Sequence, residues 1–166
     1  MALSRTSIAF GTREALDYIA RNLRHQDLQE IAAMSPIADP RPFLAFKIMS
    51  HAREVYVASK EMPIAAWGFV ELWPHVASCF AFGTNDWGLV VGAVTRHVRK
   101  YMFPRVVAAG YHRMECRALA CREDVGRFVA LIGGEPEAIL RKAGKNGEDL
   151  IIYRWIERRS KAKQAV

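Results

Sequence analysis

The fold of this chain is decided between Ile64 and Gly110. Two apolar segments read as antiparallel strands, Ile64-Ala-Ala-Trp-Gly-Phe-Val-Glu-Leu72 and Val76-Ala-Ser-Cys-Phe-Ala-Phe82. The polar loop Gly83-Thr-Asn-Asp86 then leads into a helix that we expect to begin near Trp87. A strand that ends in a loop before a helix is a common place to bind phosphate, because backbone N–H groups are free at the start of a helix. The residues of this loop therefore decide the functional interpretation.

The composition is that of one folded domain. Hydrophobic residues make up 51% and charged residues 25% of the 166 positions, which is typical of globular proteins, and this length favours one continuous core. No apolar run approaches the roughly 18 to 20 residues that span a bilayer. The N-terminus also lacks the apolar segment of a signal peptide, so we expect the protein to be intracellular when it is made.

Cysteine and histidine spacing gives no support for a metal site. The three cysteines form no Cys-x-x-Cys pair, and they lie in or at the end of predicted strands: Cys79, Cys116 and Cys121. The five histidines never fall four residues apart on one helix. We therefore expect buried, reduced thiols and no bound metal.

The formal net charge of +7 indicates an anionic partner or environment. The basic residues form three groups: Arg96, Arg99, Lys100 and Arg105 on the predicted central helix; Arg141, Lys142 and Lys145 in the last hairpin; Arg154, Arg158, Arg159, Lys161 and Lys163 at the C-terminus. Each group alone is typical of a solvated face. Taken together, the three basic groups make contact with nucleic acid an open alternative.

Periodicity and turn signals predict the element order β, α, α, α, β, β, β, α, β, α, β, β. Thr12 is expected to cap the first helix, and Asp27 with Glu30 three residues later resembles a capping box at the start of the second. Pro104 must kink or end the long central helix. The last strand, Leu150-Ile-Ile-Tyr-Arg-Trp-Ile156, is apolar on nearly both faces and should lie inside the sheet.

This order, in which the fourth strand leads into the main helix and the chain ends in a helix, a Gly-Gly pair and a hairpin, resembles the GNAT fold of N-acetyltransferases. The resemblance covers Ser7 to Ile156, with its closest local match from Met114-Glu-Cys-Arg-Ala-Leu through Phe128-Val-Ala-Leu-Ile-Gly133. More narrowly, Pro63-Ile-Ala-Ala-Trp-Gly and Cys79-Phe-Ala-Phe-Gly-Thr-Asn-Asp86 are similar to the GNAT-like internal virion protein of short-tailed bacteriophages.

The resemblance implies an α/β (α+β) fold, with a mixed, mostly antiparallel sheet and helices on both faces. It also implies a single GNAT-like domain over residues 1–156, which leaves residues 157–166 as a basic C-terminal tail.

An active member of the family would hold the pyrophosphate of CoA on the backbone of a Gln/Arg-x-x-Gly-x-Gly/Ala loop. The best registers here, Asn85-Asp-Trp-Gly88-Leu-Val90 and Leu89-Val-Val-Gly92-Ala-Val94, each match at one of three positions. Val90 would add bulk where glycine lets a phosphate approach, and an Asp86 carboxylate at the N-cap would compete with the anion. If CoA binds, the resemblance assigns its contacts to Phe82, Gly83, Gly88, Val90 and Gly92.

The resemblance also implies a tyrosine acid for the departing thiolate, in an Asn-x6-Tyr arrangement on the helix after the fifth strand. Counting back from Gly133, those positions are Arg122 and Val129, and valine cannot transfer a proton. A base for the incoming amine would be Glu71, near the end of the third strand, or His75 in the turn after it. Glu71 is equally typical of an exposed hairpin residue.

Three aromatic residues have two interpretations that the sequence does not separate. Trp67, Phe80 and Phe82 would line the gap between the fourth and fifth strands, where such enzymes bind pantetheine. Aromatic residues also dominate protein cores whether or not a cofactor is near.

Two functions follow from the resemblance. The first is a catalytically degenerate virion protein, located in a phage particle and in the host cytoplasm during assembly, with other virion proteins as partners and no cofactor. The second is an active N-acetyltransferase that uses acetyl-CoA. A basic adaptor that contacts nucleic acid is a third alternative, because a fold alone does not choose among functions.

Overall fold

The computed structural model describes residues 5–156. Its centre is one seven-stranded sheet. The strands are β1 (Ser7–Phe10), β2 (Ala52–Ser59), β3 (Pro63–Trp73), β4 (Val76–Gly83), β5 (Arg113–Leu119), β6 (Glu135–Leu140) and β7 (Leu150–Ile156). They lie in the order β1-β2-β3-β4-β5-β7-β6, and every neighbouring pair is antiparallel except β4 and β5. The predicted mixed, mostly antiparallel sheet is confirmed, and so is the internal position of β7.

Helices cover both faces of the sheet. The α1–α3 face carries α1 (Arg13–Arg21), α2 (His25–Ala33) and α3 (Arg41–His51); the α4–α6 face carries α4 (Val91–His97), α5 (Phe103–Ala108) and α6 (Glu123–Leu131). Each face has its own core, because alternate strand residues point to opposite sides. Ala66 packs with α1 and α3, and its neighbour Trp67 packs with α4 and α6. None of the helices within residues 5–156 is long and apolar enough to cross a membrane.

The two expected N-caps have different outcomes. Thr12 does cap α1, since its hydroxyl accepts a hydrogen bond from the backbone N–H of Ala15 at 3.3 Å. The capping box at Asp27 and Glu30 is wrong: α2 already begins at His25, and no side chain caps it. Both carboxylates instead turn toward β4, β5 and α6, as described below.

The helix predicted after β4 contains two irregular turns. A 3-10 turn occupies Asn85–Leu89 before α4 begins, and a π-helical turn at Val98–Met102 separates α4 from α5. Pro104 is the second residue of α5, two positions after the end of that π turn, and supplies no N–H for the carbonyl one turn earlier. Helix α4 therefore starts four residues later than the predicted helix. The kink expected at Pro104 corresponds to the π turn just before it.

The residues beyond Ile156 lie outside the described part of the chain. The division into a domain at 1–156 and a basic tail at 157–166 stays a prediction, as does any role of the C-terminal basic group other than Arg154.

Candidate functional site

Strands β4 and β5 separate soon after they begin. They pair over only three positions, Val76–Ser78 with Arg113–Glu115, and the gap beyond opens into a cleft of about 660 Å³. Side chains from both faces line the cleft, among them Ile31 and Ile48 on one side and Met102 and Val125 on the other. The cleft thus passes through the sheet, and its volume is in the range of small-molecule sites.

The interior of the cleft is largely apolar. Trp67 lies in its wall, 1% exposed, and the indole Nε1–H has no hydrogen-bond partner among the described residues. Cys79 and Cys116 lie where the two strands part. Burial raises the pKa of Cys116 to about 12 and raises the pKa of Cys79 further. Both thiols therefore stay protonated at neutral pH and are weak nucleophiles.

The expectation of reduced cysteines agrees with the structure, since all three are free of disulfides, but Cys121 is exposed rather than buried. No group of three or more metal-ligating side chains occurs within residues 5–156.

One end of the cleft is built from an ion cluster around Arg122. This residue is the N-cap of α6, and its guanidinium forms two hydrogen bonds of 2.8 Å with Asp124. A third bond, of 3.0 Å, reaches Asp27 across the sheet gap. Asp27 is 3% exposed and also accepts a bond of 2.7 Å from Arg24 Nε. A buried carboxylate is stable here because two guanidinium groups neutralise it.

Glu30 is the second carboxylate that α2 contributes to the cluster. Its Oε2 accepts a hydrogen bond of 2.9 Å from the backbone N–H of Leu119, and its Oε1 lies 3.7 Å from Arg122. Burial raises the pKa of Glu30, although the Leu119 bond and the Arg122 charge oppose this. Burial by itself would lower the pKa of Arg122, but its bond to Asp124 and the other carboxylates raise it. The guanidinium is therefore permanently charged.

The end of β4 is occupied by the segment that precedes α2. The backbone N–H of Gly83 donates to Asp27 Oδ2 at 2.9 Å, and the Gly83 carbonyl accepts from the backbone N–H of Arg24 at 3.0 Å. Leu23 and Thr84 complete this contact as an isolated antiparallel bridge. Both backbone groups of Gly83 are thus already paired within the protein.

The remaining amides of the Gly83–Val90 turn are also largely paired. Thr84 N–H donates to the Ile64 carbonyl at 2.8 Å, and the N–H groups of Asp86 and Trp87 donate to the side chain and carbonyl of Thr84 at 3.3 and 3.1 Å. Val90 N–H donates to the Trp87 carbonyl at 3.1 Å. A pyrophosphate needs several unpaired N–H groups that point at one place. The Gly83–Val90 turn fits such a group poorly, because five of its eight N–H groups donate within the protein and the Asp27 carboxylate accepts from the first of them.

Trp87 closes this end of the cleft. Its ring lies under the Arg24 guanidinium, 4.7 Å from ring centroid to Cζ, and meets Phe128 of α6 edge to face at 5.6 Å. The same ring packs on Gly83, where an added Cβ would come within 2.8 Å of Trp87 Cε3 and of the Ile64 carbonyl. Trp87 thereby links the Gly83–Val90 turn to α6 across the mouth of the cleft.

The residues assigned to CoA by resemblance differ in their exposure. Phe82 lines the cleft and is buried, while Gly88 and Gly92 are exposed with open space beside their Cα atoms. Val90 is 1% exposed and belongs to the core of the α4–α6 face. The argument that its side chain obstructs a phosphate is wrong, because that side chain points inward. Asp86 is exposed and is not the cap; Thr84 is.

The predicted catalytic residues lie in different places. Glu71 forms an ion pair with Arg53 on the neighbouring strand, and it is not among the cleft-lining residues. His75 adopts a φ of 67° in the β3–β4 turn, with its ring near Tyr111. Val129 does line the cleft. A role for Glu71 as a base stays a prediction, without support from its position.

The three aromatic residues that were expected either to line the strand gap or to pack in the core do both. Trp67, Phe80 and Phe82 all line the cleft, yet Trp67 is part of one core while Phe80 and Phe82 pack in the other.

Sequence reasoning missed the part that α2 plays in the cleft. A signal was present, because four residues of α2 and its C-cap recur at the 3, 4 and 7 spacing of one helix face and all line the cleft: Asp27, Glu30, Ile31 and Met34. In the sequence, the two carboxylates on this otherwise apolar face were interpreted as a helix cap. In the structure they are partners of Arg122, which is distant in the chain.

Comparison with solved structures gives the same fold. The ribosomal-protein-alanine N-acetyltransferase of Brucella melitensis matches with a TM-score of 0.70 at 13% identity, over 91% of this chain and 99% of that one. The ribosomal-protein-S18-alanine N-acetyltransferase of Escherichia coli matches with a TM-score of 0.69 at 12% identity, over 98% and 100%. The protein yncA of Salmonella typhimurium, described as an acetyltransferase and solved with its cofactor acetyl-CoA, matches at 0.64 and 12%, over 97% and 99%.

No protein-family model and no curated protein sequence matches the chain. At these identities the structural likeness establishes the fold alone. The chain has the GNAT fold of N-acetyltransferases.

Proposed function

We propose that this protein is a GNAT-fold component of a bacteriophage particle, an internal virion or assembly protein whose cleft no longer transfers acetyl groups. The loss of catalysis is carried by one observation, the hydrogen bond of 2.9 Å from Gly83 N–H to the buried Asp27 carboxylate. The phage setting is supported by the resemblance of Pro63–Gly68 and Cys79–Asp86 to the internal virion family. Its partners are then other virion proteins, its place is the virion and the host cytoplasm, and it needs no cofactor.

The Asp27 contact makes anion binding at the Gly83–Val90 turn unfavourable in energy. A phosphate could reach Gly83 N–H only after Asp27 leaves both Arg24 and Arg122. Breaking a buried ion pair costs about 3 to 5 kcal/mol, which would weaken binding by a factor of at least about 100. The ion cluster therefore serves the stability of the fold at the expense of the ligand.

The cleft also lacks the expected acid. No tyrosine lines it within residues 5–156, and Val129 stands where the family places one. The Cys79 and Cys116 thiols there are held protonated by burial, which raises the pKa of each. A leaving thiolate would therefore have neither a tyrosine nor a reactive cysteine there to supply its proton.

The virion assignment is tested by mass spectrometry of density-gradient-purified particles. The phage that encodes the protein is grown, and peptides are quantified in the particle band and in the soluble lysate. We expect peptides in the particle band at a fixed ratio to the major capsid protein. Peptides in the soluble fraction alone would contradict a virion role.

An acetyl-CoA-dependent N-acetyltransferase is the second candidate function. It is favoured by the open cleft of about 660 Å³ and by the indole N–H of Trp67, a buried donor with no partner among the described residues that would suit a carbonyl oxygen of a ligand. Release of free CoA from acetyl-CoA in the presence of peptide amines, lost in Trp67→Phe but retained in Glu71→Gln, would establish this function. We expect no release above the rate of a boiled control.

A further inference from the structure

Three cations on the α4–α6 face have no carboxylate partner. Arg96, Arg99 and Lys100 are all exposed, and no ion pair joins any of them to another described residue. Most arginines in residues 5–156 are paired, as Arg105 is with Glu54 at 2.9 Å. Exposed charges of this kind are hydrated and screened by salt, and a group of three without carboxylate partners leaves a positive patch that attracts an anion.

Two exposed aromatic rings lie at the ends of one row of ring contacts, and one of them, Tyr101, directly follows Lys100 in the chain. Tyr101 is 61% exposed and Phe10 is 66% exposed. The rings are connected through an aromatic row: Tyr101 stacks on His97 at 5.5 Å, His97 meets Tyr56 at 4.5 Å, and Tyr56 stacks on Phe10 at 5.1 Å. Phe10 and Tyr56 are direct partners of the β1–β2 pair, so their side chains lie on the same face. The inner members of the row, the buried Tyr56 and the half-buried His97, contact the two outer rings.

The π-helical turn sets the spacing of this surface. The buried stripe of the central segment recurs every four residues, at Val94, Val98, Met102 and Val106, which is wider than the α-helical 3.6. Arg99, Lys100 and Tyr101 lie within the turn at Val98–Met102 and are all exposed. A π turn in a helix often marks a functional site, and here it places two cations directly beside an aromatic ring.

We propose that the surface formed by Phe10, Arg96, Arg99, Lys100 and Tyr101 binds single-stranded nucleic acid. The three cations contact backbone phosphates, and the exposed rings of Tyr101 and Phe10 stack on unpaired bases. Charge complementarity selects an anion, and the flat rings select a ligand with accessible π faces. Duplex nucleic acid offers the phosphates but keeps its bases stacked on one another.

The nearest acidic group does not oppose this assignment. Glu54 lies on β2 beside Tyr56, where its carboxylate accepts bonds from the Tyr56 hydroxyl at 2.5 Å and from Arg105 at 2.9 Å. Arg105 therefore neutralises the carboxylate that borders the surface. The surface is separate from the cleft, since none of its five residues lines the cleft, and the proposal does not depend on whether CoA binds there.

The test is fluorescence anisotropy with labelled oligonucleotides of about 16 nucleotides, a length that covers one such binding surface. DNA and RNA of the same sequence form separate arms, and a matched duplex is the competitor. We expect saturable binding of a single strand at low salt, with an affinity that falls as salt rises. Arg96→Ala/Arg99→Ala/Lys100→Ala should reduce the slope of log K against log salt by about 2, since each phosphate contact in a single strand contributes about 0.7.

The aromatic contribution is separated by Tyr101→Ala, which should weaken binding by about fivefold or more and leave the salt slope unchanged. The matched control for the cations is Arg21→Ala/Lys47→Ala/Lys145→Ala, which removes the same charge from exposed positions on α1, on α3 and in the turn before β7. All variants change exposed side chains, and their melting curves are compared with that of the original protein.

Two results would overturn the proposal. One is equal loss of affinity in the two triple variants, because binding would then follow net charge and not this surface. The other is an unchanged affinity in Tyr101→Ala together with equal competition by the duplex, because bases would then play no part. The DNA and RNA arms decide which nucleic acid is preferred.

Discussion

The cleft and the Gly83–Val90 turn are adjacent, yet they differ in what they offer a ligand. The cleft is open, largely apolar and large, and the buried indole N–H of Trp67 in its wall has no partner among the described residues. The turn at its end is closed: Gly83 N–H lies on Asp27, and Trp87 spans from the turn to Phe128. A site for a long anionic cofactor needs both parts. In this protein the cleft is open, whereas the Gly83 N–H of the turn is hydrogen-bonded within the protein.

The difference separates a feature that follows from the whole sheet from one that depends on single side chains. The gap follows from the sheet, because β4 and β5 run parallel for three pairs and then diverge. Closing it would require new strand pairing along the centre of the molecule. The turn depends on single side chains, so one carboxylate on α2 and one indole are sufficient to close it.

The largest effect is expected for Arg122→Ala. It leaves Asp27 and Glu30 buried with one guanidinium fewer, and the free energy of unfolding should fall by at least about 3 kcal/mol, measured by urea denaturation. The matched control is Arg127→Ala on the same helix. Arg127 is 72% exposed and pairs with an exposed Glu123, so its loss should cost less than about 0.5 kcal/mol. Equal losses would show that the cluster does not stabilise the closed turn.

A smaller effect is expected for Gly83→Ala. The new Cβ would come within 2.8 Å of the Ile64 carbonyl and of the Trp87 ring, which should cost about 1 to 3 kcal/mol. Gly88→Ala in the same turn meets no atom within 4 Å and should change stability by less than about 0.5 kcal/mol. If both substitutions are neutral in thermal unfolding, then Trp87 is not packed against Gly83 as described.

Glu30→Gln should give a smaller effect still, and one that depends on pH. Burial raises the pKa of Glu30, so the folded state binds a proton more tightly than the unfolded state does. Its contribution to stability is therefore fully present below the unfolded pKa and is lost as pH rises through the folded pKa. The glutamine variant should be more stable than the original at pH 7, and the difference should vanish toward pH 4. A constant difference across this range would contradict the direction of the shift.

The sequence predicted the sheet, its helices and the internal β7 because strand alternation, turn residues and apolar runs are local signals. The resemblance to the GNAT fold also placed Val129 and Phe82 near the site, and both line the cleft. The role of Asp27 was not predictable in the same way, since its partners Gly83 and Arg122 are 56 and 95 residues distant. Val90 was misread for a related reason: the 3-10 turn before α4 rotates its side chain into the core.

We expect the Gly83–Val90 turn to have no affinity for the CoA pyrophosphate, and a ligand titration of the melting temperature tests this most directly. The protein is melted with acetyl-CoA or CoA up to millimolar concentration, with ATP as a control for general attraction of anions to a basic protein. A ligand present at 100 times its dissociation constant adds about 2.7 kcal/mol of stability, which is plain in a melting curve. We predict no shift beyond that given by ATP. A saturable shift with acetyl-CoA but not with ATP would show that the protein still binds the cofactor.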